Sequence, residues 1–345
     1  MTHQASGPAP DPATSADLAR RDVLKAAAGL FATGALFPTL LAQDPAGKPQ
    51  PAIDRDLLRK GLDGMSRAAA DGNDVFTDGH VAAAVLAAAF FLRDNGLDDG
   101  ASAAFRSLVD ARLLSHGIFE KRGEERADPA LVDAFVAQLD GSIHALRASG
   151  HDIIFAALAL KALRELPEAA TPSRMTGLRA MLSGFGAFAA RTAKDDELAF
   201  PGDEAKFVQL VFEEFLFALD LYRSGRGHQG HAGHVLTIGH ALLDLSRLGH
   251  QALARKGLRA WRQFVARARA GTDLGGRRLP DPPAESPQPL ERDYWLAQQK
   301  RGMPPITSSH LVKYPYSFYA LLKELPDDKA RQRALAPLLH LTAVQ

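Results

Sequence analysis

A four-fold recurrence constrains this chain more than any other feature. Four segments open with a small residue and a histidine and then run through one apolar helix length: "DGHVAAAVLAAAFFLRDNG" from Asp78, "SGHDIIFAALALKALRELP" from Ser149, "AGHVLTIGHALLDLSRLG" from Ala232 and "SSHLVKYPYSFYALLKELP" from Ser308. The histidines are His80, His151, His234 and His310, separated by 71, 83 and 76 residues. Self-similarity at a near-constant period points to an architecture of stacked like units. Helical patterns precede each segment (54–70, 129–148, 204–222, 290–300) and follow it (101–115, 173–193, 252–270, 328–342). Apolar residues recur at three and four, and strand alternation is scarce. The expected fold is all-α: four three-helix units closing into an α/α toroid or a compact superhelical bundle. The histidine helices are apolar nearly all round and should form its inner layer.

The four histidines would then face one space. At a helix start, free N–H groups and the positive end of the dipole keep imidazole neutral, the form that ligates metal or accepts a proton. His80, His151, His234 and His310 are therefore the candidate catalytic and metal-ligating residues, with Tyr314 as a further catalytic candidate. His240 is a weaker metal candidate, because it stands six residues after His234 and about 240° around the helix; a hydrogen-bonded core histidine is the alternative. Pro315 breaks strict equivalence in the fourth unit: proline suits a first helical turn, so that helix is expected to begin near Tyr314 and displace His310. Lys313, Tyr316 and Tyr319 add ammonium and phenol donors.

Other polar groups are weighed against these. His228 and His231, in "GRGHQGHAGH", read as a mobile, solvated glycine-rich loop, with loop ligation the less favoured alternative. Asp140 and His144, four apart on one expected helix, could form an acid/base pair or sit at the surface. Lys206, Gln209, Glu213 and Asp220 make one stripe on a helix, with Glu214 to its side.

Composition removes whole classes of function. Among 345 residues, 41 basic side chains nearly cancel 40 acidic ones and are scattered along helical periods, so no nucleic-acid partner is expected. There is no cysteine, which excludes Cys-held iron–sulfur clusters, covalent haem and thiolate chemistry. Any cofactor is unspecified, with a transition metal the class the histidines could hold. No nucleophile elbow, HExxH or phosphate loop is present.

The N-terminus carries an address. Arg20-Arg21-Asp22-Val23-Leu24-Lys25 before "AAAGLFATGALFPTLLA" looks like a twin-arginine export signal. Residues 1–43 read as this signal, cleaved near Ala42; 44–53 as a flexible lead-in; and 54–345 as a single helical repeat domain. The implied partners are the twin-arginine machinery and a small-molecule substrate, and the implied location is periplasmic or secreted. The many Ala and Gly residues and Pro38 make the apolar stretch a poor permanent membrane span. Chains resembling this export class usually cross the membrane folded, often with a cofactor already inserted.

Gly233-His234 with His240 six later, and a last histidine helix ending "ALLKELP", resemble the questin-oxidase-like helical proteins. The resemblance spans the four histidine helices and implies ring-opening oxygenation of aromatic polyketides with a reduced nicotinamide. Combined with export, it implies an oxidoreductase of aromatic or quinone-like molecules using a bound metal. The alternatives are an α/α-toroid carbohydrate enzyme or binder, with Glu213, Glu214 or Asp140 as its carboxylates, and a scaffold without chemistry. The Pro-rich segment from Gly271 to Pro289 reads as a wrap or lid.

Overall fold

The computed structural model describes residues 51–345 apart from 71, 122, 124, 188–203, 273–277, 280–285 and 343–345. The export signal, most of the lead-in and most of the Pro-rich segment lie outside the described residues. Those described are all-α, with twelve α-helices and no β-strand beyond one isolated bridge, Arg147 to Ala187, among them.

The helices are α1 (Arg55–Arg67), α2 (Val75–Asp94), α3 (Asp99–Arg112), α4 (Ala130–Asp140), α5 (His151–Glu165), α6 (Pro172–Gly184), α7 (Glu204–Arg223), α8 (Gln229–Arg247), α9 (Gln251–Ala270), α10 (Arg292–Gln299), α11 (Pro305–Leu322) and α12 (Asp328–Thr342). Local chemistry sets several starts. Asp54, Asp74 and Asp98 cap α1, α2 and α3, each carboxylate accepting a first-turn N–H. Such caps are worth about 1 kcal/mol apiece.

Four helices form the interior: α2 packs against α5, α5 against α8, α8 against α11, and α11 returns to α2. Five helices cover them, α1 on α2, α4 on α5, α7 and α9 on α8, and α12 on α11, while α6 packs mainly on α1 and α10 on α3. Burial follows this division. Twelve of the fifteen residues of α5 are buried, whereas α4 buries only Phe135 and Leu139, so one is an inner and the other a covering helix. The helix α2 is long and apolar enough to cross a membrane, yet its Ala-rich surface is spent on neighbouring helices: Val81 to Phe91 are fully buried. A buried ion pair, Arg174 Nη2 to Asp63 Oδ1 at 2.6 Å, ties α6 to α1, and Arg174 also donates to the Ala169 carbonyl and the Thr171 hydroxyl.

Several sequence expectations are corrected here. The helix read over 129–148 ends at Asp140, and 141–147 form turns before a short 3-10 segment, Ala148–Gly150. Asp140 and His144 therefore do not share a helix. Asp140 pairs instead with Lys256 at 2.6 Å, and His144 is exposed. The helix read over 173–193 ends at Gly184, where Phe185 turns to extended backbone.

The glycine-rich run before His234 is helix from Gln229 onward, with His228 as its cap: the His228 Nδ1 accepts from Gly230 N–H at 3.0 Å. Glycine there serves close packing. A Cβ on Gly233 would stand 2.1 Å from the Tyr314 ring, so any larger residue would push α8 and α11 apart. Pro315 does not start the fourth inner helix. It sits inside α11, which begins at Pro305 with proline in its first turn, and His310 is not displaced.

Candidate metal centre

His80, His234 and His310 are each the sixth residue of their helix, and His151 is the first of α5. Three of the four thus stand in the second turn, where the N–H groups are already bonded within the helix. The helix-start account of their neutrality fails for them. At His151 a strained turn stands where its three counterparts have a first helical turn. Ser149 and Gly150 adopt φ of 59° and 84°, a region costly for any residue but glycine. At Gly150 a side chain would also collide with Ile238 at 2.3 Å. The turn aims the Ala148 carbonyl at His151 Nδ1, and the two are hydrogen-bonded.

The four rings close a square. Centroids are 4.2 Å apart for His80–His151, 4.5 Å for His151–His234, 5.3 Å for His234–His310 and 5.1 Å for His310–His80. One nitrogen from each ring lies within 4.8 Å of those of the other three. His80 Nδ1 is 2.6 Å from the Phe76 carbonyl. A carbonyl only accepts, so Nδ1 carries the hydrogen in both His80 and His151 and leaves Nε2 with a free lone pair, the outer-shell arrangement typical of metal-ligating histidines. All four Nε2 atoms are buried with no hydrogen-bond partner.

Electrostatics keep these rings neutral. Burial, then the nearby Lys313 ammonium, pushes His151 down to about 3. Burial, Lys313 and neighbouring imidazoles hold His80, and burial with the other rings and Lys313 holds His234, well below the ordinary histidine range. His310 is lowered likewise, by burial first and Lys313 second. Four orphaned buried nitrogens would each cost about 1–3 kcal/mol, and one shared cation relieves all four. Imidazole–metal bonds are about 2.0–2.1 Å, shorter than half the 4.8 Å span, so the four nitrogens would draw inward around an ion. Imidazole sets of this kind suit Zn, Cu, Ni or Fe.

Tyr314 stacks on His310, centroids 4.7 Å apart and planes at 9°. Its hydroxyl is buried without a partner, and burial raises its pKa. His240 lies outside the four-histidine group. Its Nδ1 bonds Ser317 Oγ at 3.1 Å, and Nε2 is 3.6 Å from Asp244 Oδ2, the hydrogen-bonded core arrangement. The Lys206, Gln209, Glu213 and Asp220 stripe is exposed, while Glu214 is held by Arg269 at 2.6 Å.

Sequence reasoning missed Lys161, whose Nζ bonds Asp244 at 2.8 Å and Tyr316 Oη at 2.9 Å. It also missed Asp152, fully buried with neither carboxylate oxygen bonded and raised by burial to about 7. The available signal was a charged residue inside an otherwise apolar helix. Comparison of the chain with family models, curated proteins and solved structures returns no match.

Proposed function

We propose that His80, His151, His234 and His310 hold one transition-metal ion, and that the protein is an exported metal-dependent oxidoreductase of aromatic or quinone-like molecules. The observation that carries the metal is the convergence of four partnerless, neutral Nε2 atoms. The redox assignment rests on the resemblance of the histidine helices to questin-oxidase-like proteins and on a site built of imidazole without carboxylate. His310 is the least buried of the four, and with Tyr314 it lines a notch formed with Gln229, Thr307 and Leu311. An organic substrate would approach a bound metal from that side, the metal supplying the redox chemistry.

The closed order α2, α5, α8, α11, with two further helices between successive members in sequence, supports four three-helix units in an α/α toroid. Export through the twin-arginine route rests on Arg20-Arg21 and the apolar stretch after it. Replacing both arginines with lysine should leave unprocessed protein in the cytoplasm. The carbohydrate reading is weakened by its own carboxylates: Glu214 and Asp140 are bound in ion pairs and Glu213 is exposed. The scaffold reading leaves the orphaned nitrogens unexplained.

Metal analysis of natively purified protein tests the proposal. About one transition-metal ion per chain, lost in His151→Ala and in His234→Ala with helical content kept, is the expected result. A metal-free protein that takes up no Zn, Cu, Ni or Fe would sink it.

A further inference from the structure

The start of α8 carries two histidines that the ring of four does not use. His228, His231 and His234 are spaced by three, so they follow one another along the beginning of one helix, with a rise of about 4.5 Å per step. Their exposure falls in that order: His228 is exposed, His231 half-buried and His234 buried. The file of imidazoles runs from solvent to a corner of the ring.

Contacts link its members. The His228 and His231 rings have centroids 5.8 Å apart. His231 and His234 both stand against the Phe264 ring, at 5.9 and 5.7 Å. Gly230 leaves a space between the outermost and innermost histidines: a Cβ there would lie 3.0 Å from His228 Nδ1 and 3.9 Å from His234 Cε1. Cε1 is the ring carbon between the two nitrogens, so the edge of His234 that carries its partnerless Nε2 borders that space.

The outer donors are free to change partner. His231 Nδ1 is buried with no hydrogen-bond partner. His228 Nδ1 accepts the Gly230 N–H, a helix-cap bond that is weak beside a metal–imidazole bond. Burial, then His228 and Arg267, hold His231 down to about 4, so in neutral solution its ring is uncharged and able to ligate a cation. The Arg267 charge keeps that hold weak, as an ion that must leave two donors for four requires.

We propose that His228 and His231 form an entry station for the metal: a divalent ion is caught near the surface by these two imidazoles and passed through the Gly230 gap to His234 and the ring. The inference rests on the metal reading and adds the route to the site. Glycine at 230 fits this role. Alanine is the better helix former, and the three atoms nearest to a Cβ there belong to imidazole side chains rather than backbone. Packing therefore does not demand glycine at this position, as it does at Gly233; an open passage does.

A route sets how fast an ion enters and leaves without changing how tightly it is finally held, and that separates it from a ligand. Metal-free full-length protein is mixed with copper(II) while stopped-flow absorption reads uptake; release is followed into excess chelator, and final copper content is measured. Wild type should load copper at the ring. His228→Ala combined with His231→Ala, and separately Gly230→Ala, should each slow uptake and release alike by about tenfold, within the one to three decades over which association rates vary among variants of one site, at unchanged affinity and final content. Gly230→Ala decides the matter if the double histidine variant does not fold. Wild-type rates in the folded variants overturn the entry station and leave the metal reading intact. Slowing by Thr307→Leu alone, which would fill the notch beside His310, overturns it too and puts the entrance there. Faster release with weaker binding would make His228 and His231 ligands of the resting site, which is a third way for the station to fail. A wild-type chain that takes up no copper overturns the metal reading, and the entry station falls with it.

Discussion

Two polar clusters occupy the interior of the inner helices, and they differ in how complete they are. At one end, four imidazoles present bare nitrogens to one another, with Lys313 buried nearby and its pKa pushed well down by that burial. About ten residues further along α5 and α8, Lys161, Asp244, Tyr316, His240 and Ser317 satisfy one another: an ion pair, a phenol bridging into it, and a histidine bonded to a serine. Both are made of residue types that catalysis uses. The second has opposite charges at hydrogen-bond distance and needs no visitor. The first has neutral bases with bare lone pairs, which burial makes unfavourable until a cation or a donor meets them. Incompleteness, more than residue type, marks a site.

The largest way to break this contrast is at the histidines. His151→Ala or His234→Ala should reduce metal affinity by more than about a hundredfold, the upper range for disturbing even an outer-shell partner, with the circular dichroism of the helices unchanged. His240→Ala should keep the full metal content and cost about 1–3 kcal/mol of stability through the unpaired Ser317 hydroxyl. If His240→Ala also emptied the metal site, the two clusters would be one.

Next in size is the self-satisfied end. Lys161→Met leaves a buried carboxylate without its cation and should cost about 3–5 kcal/mol in chemical denaturation. Lys161→Met combined with Asp244→Leu should recover most of that loss, and metal content should stay constant throughout. A double variant no more stable than the single one would mean that the pair does more than satisfy itself.

The clusters should also separate by pH. Burial holds folded His151 at about 3 against an ordinary 6.5, so the unfolded chain takes up a proton that the folded one refuses. Metal-free protein should therefore lose stability as pH falls from 6.5 towards about 3, and bound metal should be released over the same fall because protons compete for the imidazoles. Asp244 is lowered below 3.8 despite its burial, by His240 and Lys161. Its contribution persists above 3.8 and disappears only as pH drops through its depressed value. Replacing His151 with Phe should flatten the slope between pH 6.5 and about 4 in thermal melts; an unchanged slope would assign it to other groups.

The smallest effect is expected at the edge of the site. His228→Ala removes a cap from α8 and should cost only about 0.5–2 kcal/mol, with metal content unaltered. A His228→Ala variant deficient in metal would extend the site to the surface.

Much of this arrangement was legible in the sequence, for reasons that also explain what was not. The four histidines could be read because each sits at the same point of an apolar period, and period is what a sequence records. Where a helix begins is decided by capping and by neighbours. The pattern thus placed the histidines at helix starts, whereas α2, α8 and α11 each begin five residues earlier. Glycines before His234 looked like slack because the Tyr314 ring that needs the space lies 81 residues from Gly233 in sequence. Lys161 and Asp244 belong to different helices and share no spacing rule, so their pairing exists only after packing. Asp140 and His144 failed for the converse reason: a spacing of four has meaning only while the helix lasts, and α4 stops at Asp140.

The return of α11 onto α2 fixes an order of events in the life of the molecule. The ribosome delivers His80 long before His310, and domains begin to fold from the N-terminal side during synthesis. Until α11 has emerged, α2 lacks one of its two inner neighbours, and the square of rings has three corners. An ion at the four rings would therefore find its full seat only once α11 has been made, and a chain cut before α11 would offer it three corners.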